Sequence, residues 1–175
     1  MTLLFLRSCW LAGHCRRPEV SCIINTHGHV DHSNGNEEAF KATKAPLLVY
    51  PIMKDGEHIP LGSLRLTVNH MPGHSADHIV IYEETQGLLF TGDLLFVGMV
   101  GGTKTRDDDR LEWDSLRRLS TLFPDTVTVW PGHDYGFRPS STLRLEMASN
   151  PFLRCESFKD FVGVKNRWTH AIRAD

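Results

Sequence analysis

The feature that most constrains this chain is a short run of metal-ligand residue types placed directly after an apolar segment. Residues 26–36 read Thr-His-Gly-His-Val-Asp-His-Ser-Asn-Gly-Asn and follow the β-like run Val20–Ile24. The two histidines that flank Gly28 share one face of an extended segment, because side chains alternate along a strand. The aspartate and the third histidine lie beyond the strand, where the chain must turn, and this geometry favours two adjacent metal ions over one. The candidate ligands are His27, His29, Asp31 and His32.

Three later candidates share one setting, because each lies at the end of a β-like run and directly follows a glycine. Taken singly, each would be an ordinary turn residue, but the repetition of the pattern indicates a common site. Polar groups gathered at one end of a sheet are the usual location of an α/β active site. The sequence therefore predicts an α/β fold with a metal centre built on loops. These candidates are His74 after Leu64–Val68, Asp93 after Leu88–Gly92, and His133 after Val127–Gly132.

These positions together resemble the metallo-β-lactamase fold superfamily, and within it the glyoxalase II-like (hydroxyacylglutathione hydrolase-like) metallohydrolases. The resemblance runs from about Val20 to the C-terminus, and the stretches Trp130–Thr142 and Asn150–Leu153 resemble the glyoxalase II-type C-terminal region. It implies an αββα sandwich that holds two divalent metal ions, zinc first and iron or manganese as alternatives. The implied ligands are His27, His29 and His74 for one ion and Asp31, His32 and His133 for the other, with Asp93 bridging both.

The N-terminal region departs from that family pattern. Only 26 residues precede His27, and Met1–Arg17 lacks the pattern of the strands that normally open the fold. We therefore expect residues 1–19 to form an atypical leader and residues 20–175 to form a metallo-β-lactamase-like domain that lacks part of the first half. A cytoplasmic location is expected, with organelle targeting by residues 1–17 as the alternative.

The charge balance and the lengths of the apolar runs limit the classes of partner that we expect. The 175 residues suit one domain, and 19 Lys plus Arg nearly balance 21 Asp plus Glu, so no basic field favours nucleic acid. No apolar run is long enough to span a membrane, and the four cysteines form no C-x-x-C pair. We expect a small-molecule thioester as substrate, such as a glutathione conjugate, no nucleic-acid or membrane partner, and a homodimer as a further possibility to test.

The family chemistry implied by this resemblance is hydrolysis. A water that bridges two such ions loses its proton near neutral pH, because metal charge lowers its pKa to about 7. The resulting metal-bridging hydroxide would attack the thioester, and Asp31 would accept its hydrogen bond as a catalytic residue. For substrate binding we expect Tyr135 and Arg138 first, and Lys104 and Arg106 less strongly, because glutathione-like carboxylates need cationic or hydroxyl donors. Gly98–Thr103 is predicted to be a flexible loop over the substrate.

Three other functions stay open. A mononuclear iron persulfide dioxygenase would use only the positions of His27, His74 and Asp93. A metal-dependent nuclease is suggested by Asp77-His78, since an Asp-His pair occurs there in superfamily members that act on RNA. Whatever the reaction, Asp77 would either orient a metal-bound imidazole or simply cap a turn. An inactive, truncated remnant is the non-enzymatic alternative.

Hydrophobic periodicity predicts the elements that carry these loops. The acidic residues at Asp107–Asp109 and Glu112 predict a solvent-exposed helix start. A turn at Lys54–Glu57 is predicted to join Tyr50–Ile52 to Leu64–Val68 as a hairpin. The other predicted elements are a helix at Ser33–Lys44, a strand at Leu47–Tyr50, a hairpin of Ile79–Tyr82 with Gly87–Thr91, and helices at Leu111–Phe123, Thr142–Ser149 and Ser157–Ile172.

Overall fold

The structure is a computed structural model that describes residues 2–7 and 19–172, with side chains described from residue 20 to residue 168. Strands and helices alternate irregularly along these residues. In chain order they are β1 Thr2–Arg7, β2 Glu19–Asn25, α1 Val30–Ser33, α2 Asn36–Thr43, β3 Leu47–Leu48, β4 His58–Leu61, β5 Leu64–His70, β6 Ile79–Glu83, β7 Leu88–Gly92, β8 Leu95–Phe96, β9 Met99–Val100, α3 Arg106–Leu122, β10 Thr128–Pro131, β11 Ser141–Thr142, α4 Leu143–Ser149 and α5 Phe158–Ile172.

Two sheets pack face to face, with helices outside them. One sheet has the order β1-β2-β3 and the other the order β11-β10-β7-β6-β5-β4. A first apolar cluster joins the inner faces of the two sheets, for example Ile24 of β2 with Val68 of β5 and Ile81 of β6. A second cluster joins the outer face of the larger sheet to the later helices, for example Leu89 of β7 with Leu116 of α3 and Phe161 of α5. With α2 packed against β2, the layers are those of the expected αββα sandwich.

The N-terminal segment contributes a strand, which the sequence did not predict. Thr2–Arg7 pairs antiparallel with β2, in a register that runs from Thr2 opposite Asn25 to Arg7 opposite Glu19. The expectation that Met1–Arg17 contributes no strand is therefore wrong for residues 2–7. Without this strand, β2 would present an unpaired edge. Residues 8–18 of the expected leader lie outside the described residues, and the boundary at residue 19 stays a prediction.

The hairpin that ends in β5 uses a different partner from the one predicted. β5 pairs with β4, His58–Leu61, and not with Tyr50–Ile52. The turn lies at Gly62, whose φ of 61° is the left-handed conformation that glycine adopts without strain. The Lys54–Glu57 segment instead hydrogen-bonds to β5, because the amide of Gly56 donates to the carbonyl of Val68 at 2.8 Å. Apolar alternation in the short β4 run was too brief to identify it as a strand.

Helix α3 begins five residues earlier than predicted, at Arg106. A capping box explains the difference, because the Thr105 side chain accepts from the amide of Asp108 while the Asp108 side chain accepts from the amide of Thr105. The predicted solvent exposure of the acidic helix start is also wrong in part, because Asp109 and Glu112 are buried. The Ile79–Thr91 hairpin and the two closing helices are confirmed. None of the helices within residues 19–172 is long and apolar enough to cross a membrane.

The inward face of α3 provides a direct test of the core. Leu116 is fully buried between the larger sheet and α5, whereas Leu111 on the same helix is 43% exposed. We expect Leu116→Ala to lower the free energy of unfolding by about 2–5 kcal/mol, because a cavity is left in a packed core. Leu111→Ala is the control and should change it by less than about 1 kcal/mol. Urea denaturation measures both, and equal losses for the two variants would contradict this packing.

Candidate metal centre

The candidate ligands lie at one end of the two sheets. The first four follow β2, two on the loop and two on the single-turn helix α1. The others follow β5, β7 and β10. The amide of Ile79 donates to the carbonyl of Thr26 at 2.8 Å, and this bond ties the loop after β2 to the start of β6. The strands of both sheets therefore carry their polar loops to the same place.

Three histidines form the first group of donor atoms. Nε2 of His27 lies 3.0 Å from Nδ1 of His29, and Nε2 of His74 lies 2.9 Å from the same atom. Two nitrogens that each lie about 2.1 Å from a tetrahedral ion are separated by about 3.4 Å. The spacing of this group therefore suits three nitrogens around one ion. All three donor atoms lie within 4.8 Å of one another.

A second group has mixed nitrogen and oxygen donors. Nε2 of His32 lies 3.0 Å from Nε2 of His133, which in turn lies 3.1 Å from Oδ2 of Asp31. Asp93 lies between the two groups. Its Oδ1 is 3.4 Å from Nε2 of His32, and its Oδ2 is 3.7 Å from Nε2 of His74. One carboxylate thus reaches both groups, which is the arrangement a bridging ligand requires.

The packing around Asp93 leaves no room for other side chains. A Cβ built on Gly132 would overlap Oδ1 of Asp93 and would lie 3.1 Å from the His32 ring. A Cβ built on Gly101 would lie 2.7 Å from Nδ1 of His74. Glycines at both positions let the backbone close around the donor atoms. Histidine nitrogens and carboxylate oxygens in this geometry fit divalent zinc, iron or manganese.

Burial and neighbouring charges shift the pKa values of His27, His74 and Asp93. Burial lowers the pKa of His27 to about 4, and it also lowers the pKa of His74. Burial acts in the opposite sense on Asp93, but the neighbouring His32 and His133 rings bring the pKa of that carboxyl below its ordinary value. Neutral His27 and His74 beside an ionised Asp93 are therefore the stable state near pH 7. Metal binding requires this state, because protons compete for the same lone pairs.

The lowered pKa of His27 predicts a pH dependence of the metal-free protein. The unfolded chain takes up a proton near pH 6.5, whereas folded His27 takes it up only near pH 4. We therefore expect the stability of the metal-free protein to fall as the pH is lowered through this window. Thermal melting after dialysis against a chelator measures the effect, and His27→Asn should flatten the slope. A melting temperature that rises between pH 6.5 and pH 4 would contradict the shift.

The side chains behind the donors differ from the sequence prediction. Asp77 accepts from the Ser75 hydroxyl at 2.7 Å, and within the described residues no hydrogen bond joins it to a candidate ligand. The turn-capping alternative therefore describes its contacts. His78 was considered only in the Asp77-His78 pair, and its supporting contacts were missed. It is fully buried, stacks on His27 with ring centroids 5.1 Å apart, and accepts the amide hydrogen of Asp93 at 3.1 Å. Its position just before the apolar strand β6 was the only available signal.

A cavity of about 540 Å³ is lined by Gly102, whose carbonyl contacts His74, but by none of the seven candidate ligands. Tyr135 lines it and stacks on His133, with ring centroids 4.8 Å apart and planes 11° apart. Lys104 and Arg106 also line the cavity. Arg138 is not among the described lining residues, and its guanidinium donates to the Ser141 hydroxyl at 3.3 Å. The predicted loop Gly98–Thr103 is partly ordered, because Met99 and Val100 form β9, which pairs with β8.

Comparisons with known proteins agree with this architecture. A family model described as the metallo-beta-lactamase superfamily matches residues 12–52 and 46–133. A hydroxyacylglutathione hydrolase of Methylobacterium sp. (strain 4-46) is 33% identical over 140 residues, which cover 74% of this chain and 53% of the relative. The chain thus spans about half the length of this relative.

Solved structures show the same fold. ETHE1 from Myxococcus xanthus superposes with a TM-score of 0.73 at 28% identity, covering 81% of this chain and 66% of that protein. TTHA1623 in a di-iron-bound form superposes with a TM-score of 0.66 at 28% identity, covering 78% of this chain and 79% of that protein. Both chains share the sandwich architecture described above.

Proposed function

Because the chain belongs to the metallo-beta-lactamase superfamily, we propose that it hydrolyses a thioester of the hydroxyacylglutathione type with two divalent metal ions, most simply zinc. The observation that carries the proposal is the convergence of two donor groups on the Asp93 carboxylate. His27, His29 and His74 would hold one ion, Asp31, His32 and His133 the other, and Asp93 would bridge them. The similarity to a hydroxyacylglutathione hydrolase supports the reaction, and the di-iron form of TTHA1623 supports two ions.

Different residues of the site have different tasks in the proposed reaction. When bound, such ions supply an activated water near neutral pH and polarise a carbonyl oxygen. Asp31 is the most exposed donor, with 59% of its side chain accessible, and its Oδ2 faces His133. Its position at the rim suits it to accept a hydrogen bond from the attacking water and so to orient it. His27 and Asp93 are buried, which keeps bulk water away from the inner donors.

The cavity supports a substrate with an anionic, glutathione-like part. Lys104 and Arg106 bring positive charge to its wall, and Tyr135 supplies a hydroxyl group beside His133. Carboxylates are recognised by such charged donors. Arg106 already donates to Asp109 at 3.1 Å, so Lys104 is the cation with more freedom to contact a substrate. We therefore place the thiol part of the substrate in this cavity.

Lys104→Ala tests that placement. We expect KM for an acylglutathione to rise about tenfold with little change in kcat, since a hydrogen bond to a charged group contributes about 1.5–3 kcal/mol. Lys41→Ala is the control, because Lys41 lies on α2 and pairs with Glu37 at the surface. Steady-state kinetics of both variants measure KM and kcat. An unchanged KM for Lys104→Ala would remove this lysine from the substrate contacts.

Metal analysis together with turnover tests the function as a whole. We expect about two zinc ions per chain by mass spectrometry and hydrolysis of an acylglutathione thioester by the loaded protein. A purified chain that binds two ions but leaves the thioester intact would contradict the proposed substrate class. A chain that melts without cooperativity, with or without Zn²⁺, would instead support the remnant hypothesis. Cytoplasmic location and homodimer formation stay predictions.

The unequal burial of the two donor groups favours one alternative. His27 and Asp93 are buried, whereas Asp31 of the second group is exposed. A single ion held by His27, His74 and Asp93 would be better protected from bulk water than one that depends on Asp31. One iron per chain, with oxygen uptake in the presence of glutathione persulfide, would establish that reaction instead. The balanced charge of the chain gives the nuclease alternative no comparable support.

A further inference from the structure

We propose that Lys165 is a positioning residue for the metal ligand His74. In this proposal the buried ion pair of Lys165 with Glu112 fixes the segment Gly101–Thr103, and that segment holds the His74 ring in the orientation that metal binding needs. The inference rests on the proposed metal centre. It assigns a task to a buried lysine that the hydrolytic chemistry itself does not use.

Lys165 is anchored from several directions. It lies on α5, is 9% exposed, and forms an ion pair with Glu112 of α3. Its ammonium group also donates to the Thr103 hydroxyl at 2.9 Å and to the Gly101 carbonyl at 3.2 Å. Asp109 lies 3.4 Å from the same ammonium group and accepts from Thr103. Three separate parts of the chain therefore meet at one buried cation.

The anchored segment contacts His74 directly. Nδ1 of His74 hydrogen-bonds the carbonyl of Gly102 at 2.8 Å, which leaves Nε2 to face His29 and Asp93. This bond fixes which ring nitrogen carries the proton and which offers its lone pair. Gly102 lies between the two residues that Lys165 binds, so the ammonium group holds the acceptor from both sides. A shift of this peptide would turn the His74 ring.

The other side of His74 rests on the same helix as Glu112. Gly73 precedes His74 with a φ of 143°, and a Cβ there would overlap the backbone of Glu112. The Ser115 hydroxyl also donates to the carbonyl of Pro72 at 2.6 Å. Helix α3 thus supports the segment before His74 while its Glu112 side chain binds Lys165. Both supports of the imidazole come from one buried network.

Stability alone does not explain this network. Removing two charges from water is costly, and a buried ion pair can often be replaced by apolar or neutral residues without loss of stability. Burial raises the pKa of Glu112 to about 7, which shows the cost of keeping that carboxylate ionised. An ammonium group offers several donors at once. Besides pairing with Glu112, the Lys165 ammonium group donates to the Gly101 carbonyl and the Thr103 hydroxyl, which lie on either side of Gly102. The network is therefore better suited to orientation than to core packing.

The experiment compares Lys165→Met, the double variant Lys165→Met/Glu112→Gln and the control Lys159→Met. Lys159 is an exposed lysine on the same helix. The double variant leaves no unpaired buried charge, so we expect it to melt cooperatively near the wild-type temperature. We measure zinc affinity by competition with a chelator, and the visible spectrum of the Co²⁺-substituted protein, which reports on the ligand geometry.

We expect both Lys165 variants to bind zinc about 10–100-fold more weakly and to show an altered Co²⁺ spectrum, as for other residues that orient metal ligands. Lys159→Met should match the wild type. A folded double variant with wild-type affinity and spectrum would overturn the proposal. So would a rise in KM with unchanged metal binding, which would make Lys165 a substrate contact. A wild-type chain that binds neither Zn²⁺ nor Co²⁺ would overturn the metal centre itself, and the two failures are thus distinguishable.

Discussion

His29→Ala should reduce thioester turnover by at least about 10³-fold, because loss of one of two ions removes several kcal/mol of transition-state stabilisation. Nδ1 of His29 lies within 3.0 Å of donor nitrogens on both His27 and His74. Removing it leaves the first donor group with two histidines. We also expect the metal content to fall from about two ions per chain towards one. Kinetics and mass spectrometry on the same preparation measure both effects.

The control for this variant is His58→Ala. His58 is exposed on β4, where its ring hydrogen-bonds the Thr67 hydroxyl at 3.0 Å, and it takes no part in the donor groups. We expect it to keep full activity and metal content. If His29→Ala kept one iron per chain and took up oxygen in the presence of glutathione persulfide, a mononuclear dioxygenase site on His27, His74 and Asp93 would replace the proposed hydrolase.

Gly73→Ala should have the largest effect on stability. The glycine has a φ of 143°, which side chains rarely adopt, and the added Cβ would overlap the backbone of Glu112. Strained backbone and overpacking each cost about 1–3 kcal/mol, so we expect a loss of about 2–6 kcal/mol in the free energy of unfolding. Metal affinity should fall as well, since His74 is the next residue. Urea denaturation and chelator competition measure the two effects.

Gly35→Ala provides the matched control. A Cβ at Gly35 meets no atom within 4 Å, and its φ of −89° is accessible to alanine. We expect the unfolding free energy of this variant to stay within about 0.5 kcal/mol of wild type. A similar loss at both glycines would show that the contact with α3 is not what Gly73 protects.

Local sequence patterns predicted much of the fold and the candidate site. The β6–β7 hairpin and the closing helices α4 and α5 follow from runs of adjacent residues, because periodicity is expressed over a few turns or pleats. The candidate ligands were recognised from their residue types after predicted strands, and their assignment to two ions came from the resemblance to the metallo-β-lactamase superfamily. Elements with few residues were less predictable. β4 has only four residues, and its pairing with β5 depended on a turn at Gly62.

The sequence by itself determined the chemical inventory of the candidate centre: which nitrogen and oxygen donors exist, and that they lie on segments that follow strands. Only the tertiary structure decided which residues hold the donor-bearing segments in place. Lys165 is 53 residues from Glu112 and 62 from Thr103, so no local pattern relates them. His78 likewise meets the amide of Asp93 across 15 residues. Such contacts arise only when separate elements pack, because the buried side chains must then find their hydrogen-bond partners in whichever segment lies against them.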